Sequence, residues 1–160
     1  MKLHEDRKLF RQAIQATADQ LSIRAVYIEK DYWVTLALKE VFSSAVGTDV
    51  VFKGGTALSK CFGLIERFSE DIDLGLITRE GETKSAMRSK LKKISTAVEA
   101  RIPEVQREGV TNKKGKIRKT AHAYEKVLHD EYGQVRDVVV LESSWLGHNE
   151  PNAERNVYSY

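Results

Sequence analysis

Two acidic residues separated by one apolar residue, Asp71 and Asp73, are the feature of this sequence with the clearest chemical meaning. In a β-strand, successive side chains point to opposite faces, so the two aspartates share one face while Ile72 and Leu74 point into the core. Two carboxylates held so close repel each other unless a cation lies between them. The pair therefore predicts a site for a divalent metal ion.

A glycine pair, Gly54 and Gly55, precedes these acids and lies between an apolar stretch and a segment of helical character. Glycine permits backbone conformations that a side chain forbids, and a turn that opens a helix presents free N–H groups to an anion. Thr56 adds a hydroxyl that either caps the helix or donates to a phosphate oxygen. Gly-Gly-Thr alone is common in turns. Its combination with the acid pair, in the order strand, glycine turn, helix, strand and acids, predicts a nucleotidyl-transfer enzyme.

A third acid is expected on a neighbouring strand, because Mg²⁺ prefers an octahedron of oxygen ligands. Glu142 is the preferred candidate, since it ends a strongly β-branched stretch and projects onto the same sheet face. Asp137, at the start of that stretch, is the alternative. Ser69 is expected either to orient the acidic strand or to contact the nucleotide, and its simplest interpretation is a turn hydroxyl.

The elements that must position these residues follow from apolar periodicity and from turn residues. Helices are predicted over residues 6–21, 25–46, 56–62 and 83–101, with Gly47 ending the second. Strands are predicted over residues 50–52, 72–77, 105–110, 117–127 and 136–142, with a hairpin tip at 112–116. The pattern predicts an α+β fold, a small mixed β-sheet flanked by helices.

The domain organisation expected from this pattern has three parts. Residues 1–48 form a helical segment packed on the core, residues 49–145 form the core, and residues 146–160 form a tail. The end of the tail resembles the beginning of a strand, which predicts that a C-terminal region follows it.

Composition excludes several classes of protein. With 160 residues, 41% of them apolar, the chain can bury a core of its own. One cysteine excludes an internal disulfide, and no stretch has the length of a membrane span, so we expect no membrane association and a cytoplasmic location. The net charge of +3 is compatible with a nucleic acid partner without requiring one.

Residues 54–58 (GGTAL) and 67–74 (RFSEDIDL) together resemble the signature of the polymerase-β type nucleotidyltransferase superfamily. Within it, the chain is similar to the AbiEii/AbiGii family of abortive-infection toxins. Residues 28–34 (IEKDYWV) resemble that family's N-terminal Glu-Lys-Asp-Tyr motif. The resemblance covers about residues 20–145.

This resemblance implies a minimal nucleotidyltransferase fold that binds an NTP and Mg²⁺, with an antitoxin as possible partner and tRNA or another RNA as possible acceptor. By position, the residues that match the phosphate-binding turn are Gly54, Gly55 and Thr56, and the metal-binding acids are matched by Asp71, Asp73 and Glu142. Lys30, with Asp31, matches the N-terminal motif, through which Lys30 is expected to reach the triphosphate. Full members of the family continue into a helical region beyond the length of this chain.

The sequence thus predicts an Mg²⁺-dependent enzyme that transfers NMP from an NTP to an acceptor hydroxyl of RNA, tRNA or protein. The resemblance adds that it is the toxin component of a toxin–antitoxin system. The alternative is a truncated, non-catalytic module that binds a nucleotide or a partner protein.

Overall fold

The computed structural model describes residues 3–65, 68–128, 135–145 and 151–160. Within these ranges the chain forms four α-helices and a five-stranded mixed sheet, which confirms the predicted α+β class. Two of the helices pack on one face of the sheet, and the first helix packs against the second. The other face of the sheet carries the polar residues considered below.

The four helices all occur where apolar periodicity predicts them: α1 (Arg7–Leu21), α2 (Ala25–Phe42), α3 (Gly54–Phe62) and α4 (Lys84–Glu99). Side chains cap two of them at the N-terminus. Asp6 accepts a hydrogen bond from the Leu9 N–H, and Thr83 accepts one from the Ala86 N–H. None of these described helices combines the length and apolar content needed to span a membrane.

Helix α2 ends at Phe42, so the predicted end at Val46 is wrong. Gly47 lies in a short 3-10 helix, Gly47–Asp49, that leads into the sheet. A Cβ atom on Gly47 would lie 2.5 Å from the carbonyl oxygen of Phe42. The glycine is therefore needed for close backbone approach rather than as the helix stop.

The strands are β1 (Val50–Lys53), β2 (Ile72–Leu76), β3 (Glu104–Val105), β4 (Ile117–Ala123) and β5 (Val138–Ser144), in the sheet order β1-β2-β5-β4-β3. Only the β2–β5 pair is parallel within this sheet. The structure corrects three strand predictions: β3 is far shorter than residues 105–110, β4 ends at Ala123 rather than at residue 127, and β5 begins two residues later than predicted. Residues 157–160 form no strand.

Burial alternates along β2 as the sequence predicts. Ile72 and Leu74 are fully buried in the core formed with the helices, while Asp73 lies on the opposite face. Along β5, Val139 and Leu141 join the same core. A smaller apolar cluster on the opposite face is formed around Ala121, Val138 and Val140. The acids are therefore on the face that the helices leave open.

His122, on β4, is fully buried, and both nitrogens of its imidazole ring form hydrogen bonds. Its Nδ1 lies 2.9 Å from the carbonyl oxygen of Ile102, which can only accept, so Nδ1 carries the hydrogen. Nε2 then accepts from the Thr120 hydroxyl at 2.9 Å. Burial lowers the pKa of His122 below its usual 6.5, which keeps the ring neutral.

We predict that this histidine makes stability depend on pH in mildly acidic solution. Because the folded-state pKa is the lower one, its contribution is complete above pH 6.5 and is lost as the pH falls through the folded value. The loss should not exceed about 1.4 kcal/mol per pH unit. Urea unfolding between pH 7.5 and 5.5 measures it, and His122→Gln should show a shallower dependence. Equal slopes in both proteins would contradict this assignment.

Candidate active site

Strand register brings four charged residues into one row across the open face of the sheet. Lys53 pairs with Asp73, Asp73 with Glu142, and Glu142 with Lys119, on the successive strands β1, β2, β5 and β4. Side chains at paired positions share a face, so two carboxylates lie side by side between two lysines. They border a cleft of about 210 Å³, which is also lined by Gly54 and Ser144.

Asp73 lies directly against the glycine pair. Gly54 begins helix α3 with a φ of +78°, in the region that favours glycine. A Cβ atom there would lie 2.4 Å from Oδ2 of Asp73 and 3.2 Å from its Cβ. The residue before it, Lys53, provides no side-chain cap for the helix. Asp73 and Gly54, the first residue of α3, therefore line one cleft.

The electrostatic state of Asp73 reflects burial first and neighbouring charges second. Burial raises its pKa above the usual range, the carboxylates of Glu142 and Asp71 raise it further, and the ammonium groups of Lys53 and Lys119 partly offset that rise. No hydrogen bond or ion pair reaches the Asp73 carboxylate from the residues that the structure describes. An acid held in this way gains from any cation that enters the cleft.

The other two acids each contact a basic side chain. The guanidinium of Arg136, which precedes β5, donates to Oδ1 of Asp71, and Lys119 Nζ lies 3.1 Å from Oε2 of Glu142. In this arrangement no three metal-binding side chains converge on one point in the described part of the chain. Asp71 and Glu142 would have to leave their basic partners in order to share an ion with Asp73.

Thr56 and Ser69 connect helix α3 with the segment that leads into β2. Thr56 is the third residue of α3, so it is not the helix N-cap, which is a correction to one of the two predicted roles. Its buried hydroxyl donates to the backbone carbonyl of Asp71 at 2.5 Å and lies 2.8 Å from the hydroxyl of Ser69. These contacts tie the first turn of α3 to the segment that leads into β2. The contact of the Ser69 hydroxyl is with Thr56, and the two roles predicted for Ser69 stay predictions.

Lys30 is fully buried, in contrast to the expectation that it reaches the triphosphate. Its ammonium donates to the carbonyl oxygens of Arg136, at 2.8 Å, and of Val138, and lies 3.2 Å from Oε2 of Glu70. Burial lowers the Lys30 pKa, and the carboxylate of Glu70 opposes that effect. With no exposed surface, Lys30 cannot contact a ligand in this structure. It joins α2 to the segments that precede β2 and β5.

The two neighbours of Lys30 in α2 are buried as well and act on other segments. Glu29 accepts hydrogen bonds from the backbone N–H groups of Val127, at 2.6 Å, and Leu128. Asp31 binds the Lys60 ammonium of α3 and accepts from the Tyr160 N–H at 2.9 Å. The motif at residues 29–31 thus fixes the elements that surround the cleft rather than lining the cleft itself.

Some of the residues considered from sequence lie elsewhere. Asp137 is ion-paired with Arg107 at 2.7 Å, so it is Glu142 that lies beside Asp73. Arg67 lies outside the described residues. Sequence reasoning missed Arg136 and gave Lys119 no role in the site. Arg136 lies more than sixty positions after Asp71 in the sequence, and it is the parallel pairing of β2 with β5 that brings the two side chains together.

The donor set suits a hard divalent cation. Carboxylate oxygens are the protein ligands that Mg²⁺ prefers, with water and phosphate oxygens completing the octahedron. The Asp73 carboxylate is partly withdrawn from water and has two carboxylates nearby, so a cation beside it would stabilise its charged form. The residues therefore fit Mg²⁺, provided that the side chains of Asp71 and Glu142 turn toward Asp73.

Comparison with known proteins gives one family. A family model described as "Nucleotidyl transferase AbiEii toxin, Type IV TA system" matches residues 37–160. The match includes the glycine pair and all three acids. Neither the curated proteins nor the solved structures contain a match to this chain.

We predict that a side chain at position 54 displaces the Asp73 carboxylate. Gly54→Ala adds a methyl group where Oδ2 of Asp73 now lies, and an alanine at positive φ costs about 1–2 kcal/mol. Gly63→Ala is the matched control, because Gly63 has a φ of +62° and open space around its Cβ position. Both should lower the free energy of unfolding. Only Gly54→Ala should move the ¹³C resonance of the Asp73 carboxyl carbon, and an unmoved resonance would refute the contact.

We also predict that Lys30→Met destabilises the fold strongly. Removal of one partner of a buried ion pair typically costs about 3–5 kcal/mol, because the other charge is left unpaired. Here the substitution removes the buried cation beside Glu70 and the donor to two backbone carbonyls. Urea denaturation measures the loss. Glu70→Gln in the same chain should restore part of it, and a Lys30→Met protein as stable as wild type would show that the contact network is not structural.

Proposed function

This chain belongs to the AbiEii family of nucleotidyl transferase toxins, and from that premise we propose that it transfers NMP from an NTP to an acceptor hydroxyl with Mg²⁺. One observation carries the proposal: Asp73 lies between the Glu142 carboxylate and the glycine that opens α3. Metal-binding oxygens and anion-binding amides then face the same small cleft. A magnesium-bound triphosphate needs both.

Asp71, Asp73 and Glu142 would hold Mg²⁺. When bound, the ion supplies positive charge against the phosphates and lowers the pKa of an attacking hydroxyl. The amides of Gly54 and Gly55 bind the β- and γ-phosphates, at the positive end of the α3 dipole. Thr56 contributes by holding α3 against the acidic strand, since its hydroxyl already donates to the Asp71 carbonyl. Catalysis comes from positioning and charge neutralisation, with no covalent enzyme intermediate.

An RNA acceptor, with tRNA as one possibility, is supported by the surface next to the cleft. Lys114 and Lys116 are exposed in the turn that leads into β4, the strand that carries Lys119. Such side chains bind phosphate backbones without sequence preference. The family description adds a toxin–antitoxin context, so we propose an antitoxin as a further partner and the cytoplasm as the location.

The test is incorporation of each of four labelled NTPs into total RNA and into protein by the full chain with Mg²⁺. Asp71→Ala/Asp73→Ala and Glu142→Gln should each lower incorporation by about 10²-fold or more, as the loss of major electrostatic groups does elsewhere. Asp137→Asn is the control, because this acid lies near the start of the same strand but pairs with Arg107. It should retain activity.

Equal incorporation by the wild type and the Asp71→Ala/Asp73→Ala variant would remove the aspartates from the mechanism. Binding of Mg²⁺ and NTP by calorimetry, without product from any acceptor, would instead support the non-catalytic binding module.

A further inference from the structure

Two of the three acids proposed to hold the metal, Asp71 and Glu142, already pair with basic side chains. Arg136 binds Asp71, and Lys119 binds Glu142, while Asp73 has neither. We propose that Arg136 is an exchangeable counter-ion: a divalent metal displaces it from Asp71, and its guanidinium then binds the phosphates of the incoming nucleotide. The inference rests on the proposed function and assigns a further substrate-binding residue to it.

Two hydrogen bonds fix the backbone of Arg136, whereas its side chain is partly exposed to solvent. Its carbonyl oxygen accepts from the buried Lys30 ammonium at 2.8 Å, and its N–H donates to Oε1 of Glu70 at 3.3 Å. The guanidinium, by contrast, is 46% exposed, and the Asp71 side chain is 45% exposed. The side chain can therefore change partners without any change in the fold.

The energies favour such an exchange. An ion pair this exposed contributes little free energy, because water screens it and two long side chains lose freedom. A divalent ion that also contacts Asp73 and Glu142 outcompetes one guanidinium for Asp71. The pair is thus strong enough to neutralise the acid in the metal-free protein and weak enough to yield to metal.

Besides Asp71, the described carboxylate in ion-pair range of the Arg136 guanidinium is that of Glu70, whose Oε1 lies 4.0 Å from Nη1. That carboxylate already neutralises the buried Lys30 ammonium and accepts from the Arg136 N–H, so it is a longer and shared partner. A planar guanidinium presents paired N–H donors that match the oxygens of a phosphate group. A triphosphate that enters beside Asp71 is therefore the partner that restores its charge balance.

The prediction is that Arg136→Gln shifts two affinities in opposite directions. Mn²⁺ binding, followed by water proton relaxation, should become about three- to tenfold tighter, because the metal no longer has to displace a guanidinium from Asp71. Inorganic tripolyphosphate, titrated at saturating Mn²⁺, should bind about tenfold more weakly, because a charge-assisted contact is lost. Neither measurement requires turnover. Arg136→Lys keeps the charge and should remain close to wild type for Mn²⁺.

Arg107→Gln is the matched control, since Arg107 forms an ion pair with Asp137 in which both side chains are 47% exposed. It should change neither affinity. In an Asp71→Asn background, Arg136→Gln should no longer strengthen Mn²⁺ binding, because the carboxylate for which the two cations compete is gone.

The outcomes separate the two proposals. A wild type that binds neither Mn²⁺ nor tripolyphosphate removes the proposed function and this inference together. A wild type that binds both, with Arg136→Gln unchanged, removes the counter-ion role alone. Weakening of both ligands by Arg136→Gln would also overturn it, because the guanidinium would then support the site without competing for Asp71.

Discussion

A buried ammonium, that of Lys30, is the constraint on which the rest of this site depends. A charge without solvent must be paired and hydrogen-bonded, or the fold loses several kcal/mol. Lys30 meets that requirement with Glu70 and with two carbonyls at the entrance to β5. These partners lie just before the two strands that carry the acids. Satisfying one buried charge therefore also sets β2 beside β5, and with them Asp73 beside Glu142.

The charged residues of the molecule fall into two classes by their burial. The inner class, Glu29, Lys30 and Asp31, is buried and saturated with partners, so it fixes geometry. The outer class, which includes Arg136 and Lys119, is partly exposed and pairs with the acids of the cleft. The dielectric environment makes the first class rigid and the second exchangeable. A motif that is expected to bind substrate is instead buried and holds together the elements around the proposed site.

Asp73 shows the opposite arrangement, and that contrast supports its proposed role. Its carboxylate is partly buried, has the carboxylates of Glu142 and Asp71 nearby, and lies so close to Gly54 that no side chain fits there; its pKa is raised. Stability alone would favour a neutral side chain at this position. A local arrangement that costs stability while its surroundings are well satisfied is typical of a functional site.

The sequence by itself determined the helices, the α+β class and the alternation along β2. Those features depend on local periodicity, on caps and on the freedom of glycine, all of which are written in neighbouring residues. Only the tertiary structure decided which charges are buried. The hydrogen-bond partners of Lys30, Thr56 and Arg136 lie 13 to 108 positions away, and local sequence patterns do not reveal them.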